Sequence, residues 1–167
     1  MYEKYLKGIY PITPNEFVSD KIFIEDCLRV INTNISVFPF RPKFLSYARR
    51  NRITDLLYRD CQLNNVKLIL GNARYCEQNK ASYVSFGSIY KTNNKVNYTL
   101  CNKNIIKKAK ESLDIPICVI GGINLQNIRE QVILKPDMIA LIDGIFNQIN
   151  SIESIDLLLN EFKNEEI

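Results

Sequence analysis

The feature that most limits how this chain can fold is a set of short, wholly apolar runs, of which Ile115-Pro-Ile-Cys-Val-Ile120 and Met138-Ile-Ala-Leu-Ile142 are the clearest. A strand that is apolar on both faces has to be covered on both faces, which an antiparallel meander with one wet face does not provide. Between these runs apolar residues recur at helical spacing, so strands and helices alternate along the chain. Such alternation builds a parallel sheet flanked by helices, either a barrel or an open doubly wound sheet.

In chain order, Gly8-Ile-Tyr-Pro-Ile-Thr13 reads as a buried strand, and Thr13-Pro14-Asn15-Glu16 has the form of a capping box that opens a helix. The helical face carries Ile22, Ile24, Cys27, Leu28 and Ile31 and stops near Asn32 to Asn34, before the strand Ile35 to Phe40. A helix from Phe44 to Cys61, with Leu45, Ala48, Ile53, Leu56 and Leu57 on one face, leads to the strand Val66 to Leu70. A short helix over Asn72 to Lys80 and the strand Ser82 to Phe86 precede a long polar loop, Gly87 to Asn102. Polar loops after strands are where function concentrates, so this one is the first suspect. Next come a helix over Asn104 to Leu113, the strand Ile115 to Ile120, the turn Gly121 to Asn124 and a helix from Leu125. The last strand runs into Asp143-Gly144, and a terminal helix presents Ile155, Leu158, Leu159 and Phe162 on one face.

With 167 residues, 46% of them hydrophobic and 24% charged, the chain is expected to form one domain over residues 1–167. A complete eight-stranded barrel takes about 250 residues, so six βα units in this length describe a TIM-like (β/α) barrel shortened by about two units. No histidine is present, which excludes Ser-His and Cys-His nucleophile chemistry and removes the commonest metal ligand. The five cysteines include no C-x-x-C pair and read as reduced thiols in the core. No apolar run is long enough for a membrane span, and no hydrophobic leader opens the chain, so a cytoplasmic protein without a membrane partner is expected. The net charge of +4 favours anionic ligands without pointing to nucleic acid.

Three stretches carry a family signature: Ala81-Ser-Tyr-Val-Ser-Phe-Gly-Ser-Ile-Tyr-Lys-Thr-Asn-Asn-Lys95, Pro116-Ile-Cys-Val-Ile-Gly-Gly-Ile-Asn124 and Met138-Ile-Ala-Leu-Ile-Asp-Gly-Ile-Phe146. In order and spacing they resemble the ADYVxFGPxFxTxTK, PVxAIGGI and GVAVVSAIF segments of thiamine phosphate synthases. The opening Gly-Ile-Tyr-Pro-Ile-Thr-Pro is similar to that family's first strand, and Pro39-Phe40-Arg41-Pro42-Lys43 to its Q-x-R-x-K motif, with proline in place of glutamine.

The resemblance implies a transferase of thiamine biosynthesis that joins hydroxymethylpyrimidine pyrophosphate to thiazole phosphate, with Mg²⁺ bound and pyrophosphate released. It implies catalytic roles for Arg41, Lys43 and Lys95, which would form a cationic cradle for the leaving pyrophosphate. Pro39, Thr92, Asn93 and Asn94 would bind substrate, and Gly122, Ile142 and Asp143 would hold the thiazole phosphate. Barrel sites lie at the C-terminal ends of strands, and glycines let backbone N–H groups approach an anion, which suits Gly121-Gly122 and Asp143-Gly144.

The chain departs from the pattern at several points. The family's two Mg²⁺-binding aspartates are not recognisable, and Leu68-Ile-Leu-Gly-Asn-Ala-Arg74 leaves only Asn72 near a metal-ligand position. Asn94 replaces a threonine and Asp143 a serine, and Asp143 disfavours a neighbouring phosphate unless it points away. Asp143, Asp55 and Asp60 are the carboxylates to inspect opposite Arg41, Lys43 and Lys95, because a synthase needs a metal-ready site. A non-catalytic relative that binds phosphate esters or a protein partner is therefore the alternative. A barrel short of two strands also has open edges, which pairing within the chain or a homodimer would cover. The cluster Arg49-Arg50-Asn51-Arg52 reads as a solvated helix face rather than a nucleic-acid patch.

Overall fold

The computed structural model describes residues 6–41, 45–70, 83–95, 97–146 and 151–163. In chain order these residues form β1 (Gly8–Pro11), α1 (Asp20–Ile31), β2 (Val37–Phe40), α2 (Tyr47–Leu63), β3 (Lys67–Leu70), β4 (Val84–Phe86), α3 (Asn104–Ser112), β5 (Ile117–Ile120), α4 (Ile128–Val132), β6 (Met138–Leu141), α5 (Asp143–Phe146) and α6 (Ser151–Lys163). The expected helix over residues 72–80 lies outside the described residues.

All four strand ladders are parallel. One sheet has the order β1-β6-β5-β4 and the other pairs β2 with β3. The last strand thus pairs with the first, Gly8 opposite Met138 and Pro11 opposite Leu141. Side by side the strands follow their sequence order around an arc that closes at β6–β1, the arrangement of a (β/α) barrel. Among the described residues, the outer edges of β3 and β4 pair with no strand.

Burial shows why the strands are apolar on both faces. Alternate residues Ile9, Phe38, Phe40, Ile117, Val119, Ile139 and Leu141 share one cluster with helix residues such as Phe23, Ile53, Ile106, Ile128 and Leu158. The intervening Tyr10, Val37, Cys118, Met138 and Ala140 cluster only with residues of the strands and their immediate flanks, which defines the interior of the arc. Helix α1 buries Phe23, Cys27, Val30 and Ile31, and α2 buries Ile53, Leu57 and Cys61, each a stripe of helical period. Ile22, Ala48 and Leu56, which the spacing assigns to those faces, turn out to solvent, because each lies off the i, i+4 stripe that meets the sheet.

The buried thiols behave as core atoms: burial pushes Cys61 and Cys118 up to about 12, and Cys27 rises for the same reason. Cys76 is outside the described residues. The arginine cluster serves the fold. Arg49 and Arg52 both pair with Asp20 at the start of α1, at 2.5 and 3.0 Å, and Arg49 lies over the Phe17 ring.

The expected capping box at Thr13 is not there. Helix α1 starts at Asp20 with Ser19 as its N-cap, whose hydroxyl accepts from the Ile22 N–H. Thr13 is buried and is used elsewhere: its hydroxyl accepts from the Arg41 N–H at 2.9 Å, and its own N–H donates to the Pro39 carbonyl. These two bonds join the ends of β1 and β2 across the boundary between the two sheets. A short helix, α5, separate from the terminal helix α6, also follows β6.

Removing the Thr13 hydroxyl deprives the Arg41 N–H of its acceptor. Urea unfolding of Thr13→Val is expected to show a loss of about 1–2 kcal/mol, and Thr13→Ser, which keeps the oxygen, distinctly less.

Candidate functional site

The strand ends converge on a cleft of about 570 Å³. Its walls come from Ile12 and Thr13 after β1, Arg41 after β2, Gly87 and Ser88 after β4, Ile120 to Asn124 at the end of β5 and beyond it, and Leu141 to Gly144 at the end of β6 and beyond it. The long loop after β4 adds Lys91 to Lys95, Tyr98 and Thr99. The C-terminal ends of all strands point the same way in a parallel arc, which is why residues so distant in sequence meet.

Three glycines allow the β4 loop to lie directly on the β5–α4 turn. A Cβ on Gly87 would stand 2.3 Å from the Ile120 carbonyl oxygen. One on Gly121 would stand 2.1 Å from the Ser88 hydroxyl, and one on Gly122 2.1 Å from the Lys91 carbonyl oxygen. Gly121 and Gly122 also hold φ of 111° and 64°, the left-handed region that side chains disfavour. The two backbones are then stitched together, Ile89 N–H to Ile120 C=O at 3.1 Å and Tyr90 N–H to Gly121 C=O at 2.9 Å. Asn127 completes the turn, donating from Nδ2 to the Gly122 carbonyl and accepting from the Asn124 N–H, each at 3.0 Å.

Tyr90 anchors the loop from outside. Its hydroxyl donates to Glu130 Oε2 at 2.7 Å and accepts from Gln131 Nε2 at 2.8 Å, while Lys103 reaches the same Glu130 oxygen at 2.5 Å and sits over the Tyr90 ring. Hydrogen bonding from Lys103 holds the Glu130 carboxyl below its usual range, and Glu130 raises the Lys103 ammonium in return. Burial raises the Tyr90 phenol, helped by its bond to Glu130. The result is a fixed base for the segment that carries Lys91 and Lys95.

Of the residues marked out by sequence, Arg41, Lys95, Thr92, Asn93, Asn94, Gly122, Ile142 and Asp143 all line this one cleft. Pro39 does not. It is buried within β2, on the same side of the strand as Val37, and contributes its carbonyl to Thr13. Lys43 and Asn72 lie outside the described residues. Asp55 and Asp60 sit on α2, away from the cleft lining.

Lys91 lines the cleft as a third cation and was not singled out by sequence, nor were Ser88, Thr13 and Asn15. The signal for Lys91 was its place in the long polar loop. Among the described residues Asp143 is the one carboxylate in the lining, and its Oδ2 accepts from Asn94 Nδ2 at 2.6 Å. Among the described residues no group of three histidine, cysteine, aspartate or glutamate side chains could hold a metal ion. Mg²⁺ takes several oxygen ligands, more than this carboxylate supplies by itself.

The glycine contact makes a sharp comparison. Gly8 also has positive φ, 80°, but open space where a Cβ would go, so Gly8→Ala is expected to cost only the backbone strain, about 1–2 kcal/mol. Gly122→Ala adds a collision with backbone and is expected to cost clearly more than that by thermal or urea unfolding; equal costs would mean that the two loops are not in contact.

The comparisons with known proteins match this geometry. The family model described as thiamine monophosphate synthase covers residues 70–145. The thiamine-phosphate synthase of Wolinella succinogenes is 38% identical over 78 residues, 47% of this chain and 36% of that protein. That of Picrophilus torridus is 35% identical over 83 residues, 50% of this chain and 40% of that protein. The matched segments thus span well under half the length of these curated relatives. In fold the likeness runs end to end. Thiamine phosphate pyrophosphorylase from Pyrococcus furiosus superposes with a TM-score of 0.81 over 97% of this chain and 98% of its own, at 16% identity. The Bacteroides thetaiotaomicron enzyme of the same name gives a TM-score of 0.54 over 96% and 95%, also at 16% identity. Residues 70–145, which supply the loop after β4, the glycine turn and the end of β6, are therefore the part of the chain that matches the thiamine monophosphate synthase model.

Proposed function

We propose that the cleft joins a hydroxymethylpyrimidine pyrophosphate to a thiazole phosphate, giving thiamine phosphate and pyrophosphate. The observation that supports this most is the convergence of Arg41, Lys91 and Lys95 with the Gly121-Gly122 turn in one cleft at the strand ends. A volume of about 570 Å³ suits two small phosphorylated molecules held side by side.

The bond that breaks joins the pyrimidine methylene carbon to a pyrophosphate oxygen, and the electron pair leaves with the oxygen. The bond that forms joins that carbon to the thiazole ring nitrogen, which uses its own lone pair. No proton has to be removed from the nucleophile, so a site without histidine suffices. What the chain must supply is positive charge where negative charge accumulates on the leaving group, and Arg41, Lys91 and Lys95 are the cleft residues that can supply it. Lys43 would join them by the motif it shares with Arg41. Gly122 would bring backbone N–H groups against the thiazole phosphate, flanked by Ile142, Thr92 and Asn93.

That Asp143 is the one carboxylate lining the cleft among the described residues gives the second reading its observation. A protein that binds phosphate esters without turning them over needs the cations and the glycine turn but no metal carboxylates. Both readings keep a small phosphorylated ligand in the same cleft.

Incubation of the purified chain with hydroxymethylpyrimidine pyrophosphate, thiazole phosphate and Mg²⁺ decides between them, with thiamine phosphate detected by thiochrome fluorescence. Product is expected, reduced at least about 100-fold in Lys95→Ala, the loss typical when one donor to a developing anion is removed. Folded protein that binds both substrates and forms no product would establish the non-catalytic reading.

A further inference from the structure

Two departures from the family pattern meet in space. Asn94 stands where the pattern has threonine and Asp143 where it has serine, 49 residues apart, and their side chains are hydrogen-bonded at 2.6 Å. Both line the cleft. Asp143 opens α5 and directly precedes Gly144, whose Cα packs so closely on the β5 turn that an added Cβ would stand 2.7 Å from the Ile123 carbonyl oxygen. A carboxylate therefore sits at the glycine-lined end of a cleft that otherwise carries Arg41, Lys91 and Lys95.

A carboxylate in that position is a competitor built into the chain. It can accept from the same backbone N–H groups and the same ammonium groups as an incoming phosphate, and it repels a phosphate that binds beside it. An amide donor changes both effects. The bond from Asn94 to Oδ2 restrains the carboxylate, and swinging onto the phosphate donors would require breaking this short, charge-assisted hydrogen bond.

We propose that Asn94 is a positioning residue: it tethers Asp143 so that the cleft accepts a phosphorylated ligand in spite of the carboxylate. The inference rests on the reading of the cleft as a phosphate site. It predicts that the two residues are coupled, with Asn94 needed only while Asp143 is charged.

Calorimetric titration with inorganic pyrophosphate of the full chain, Asn94→Ala, Asp143→Ala and the double variant tests this. Asn94→Ala is expected to weaken binding about tenfold, and the double variant to return within about threefold of the unaltered chain. Asp143→Asn in the Asn94→Ala background, which keeps the shape and removes the charge, is expected to rescue equally. Asn94→Ala that binds as the unaltered chain does overturns the inference, and so does a double variant as weak as Asn94→Ala, since Asn94 would then act on the ligand itself. An unaltered chain that binds no pyrophosphate would instead overturn the phosphate reading of the cleft, and the inference with it.

Discussion

The parallel ladder between β1 and β6 is the constraint on which the rest of the molecule depends. It sets the first strand beside the last, so that the ends of the described chain share one core. Because Pro11 lies opposite Leu141, the residues that follow each strand, Ile12 and Thr13 on one side and Ile142 and Asp143 on the other, emerge together at one rim. From that seam β5 and β4 extend one way, while β2 and β3 extend the other, joined to β1 through Thr13. Covering by helices outside and by strand side chains inside explains why so many strand positions are apolar on both faces.

The rim becomes a site through a second constraint, the near contact of two backbones. Gly87, Gly121 and Gly122 remove the side chains that would keep the β4 loop away from the β5 turn. The loop is then held at both ends, by Tyr90 against Glu130 and Gln131 and by Asn94 against Asp143. Lys91 lies between these two anchors and Lys95 directly after the second, and both line the cleft that Arg41 enters from β2. Fixed cations around a glycine-lined end suit an anion better than flexible ones, because less ordering is left to be done on binding.

Much of this was legible in the sequence. The strands could be read because burial on both faces leaves uninterrupted apolar runs, and the helices because Cys27 and Ile31 or Ile53 and Leu57 repeat at helical spacing, although the buried Phe23 and Val30 were not among the residues picked out. The family motifs marked most of the cleft lining. What could not be read depended on partners distant in sequence. Thr13 looks like a helix cap locally, but its hydroxyl is taken by the Arg41 N–H, 28 residues away. The value of Asn94 and Asp143 as a pair is invisible until the fold brings them together. Lys91 escaped notice because no motif marks it, and the four-residue helix after β6 is too short to leave a periodic signal. Pro39 occupies a motif position whose side chain no longer reaches the cleft lining.

On the proposed function, this cleft rather than the arginine-bearing face of α2 receives the phosphate groups. The most direct measurement is a titration of isotopically labelled protein with inorganic pyrophosphate, followed by backbone amide chemical shifts. The shifts should concentrate at Arg41, Lys91 to Lys95 and Gly121-Gly122, with little change along the exposed side of α2. Shifts centred instead on Arg49, Arg52 and their neighbours, with the glycine turn unmoved, would contradict it.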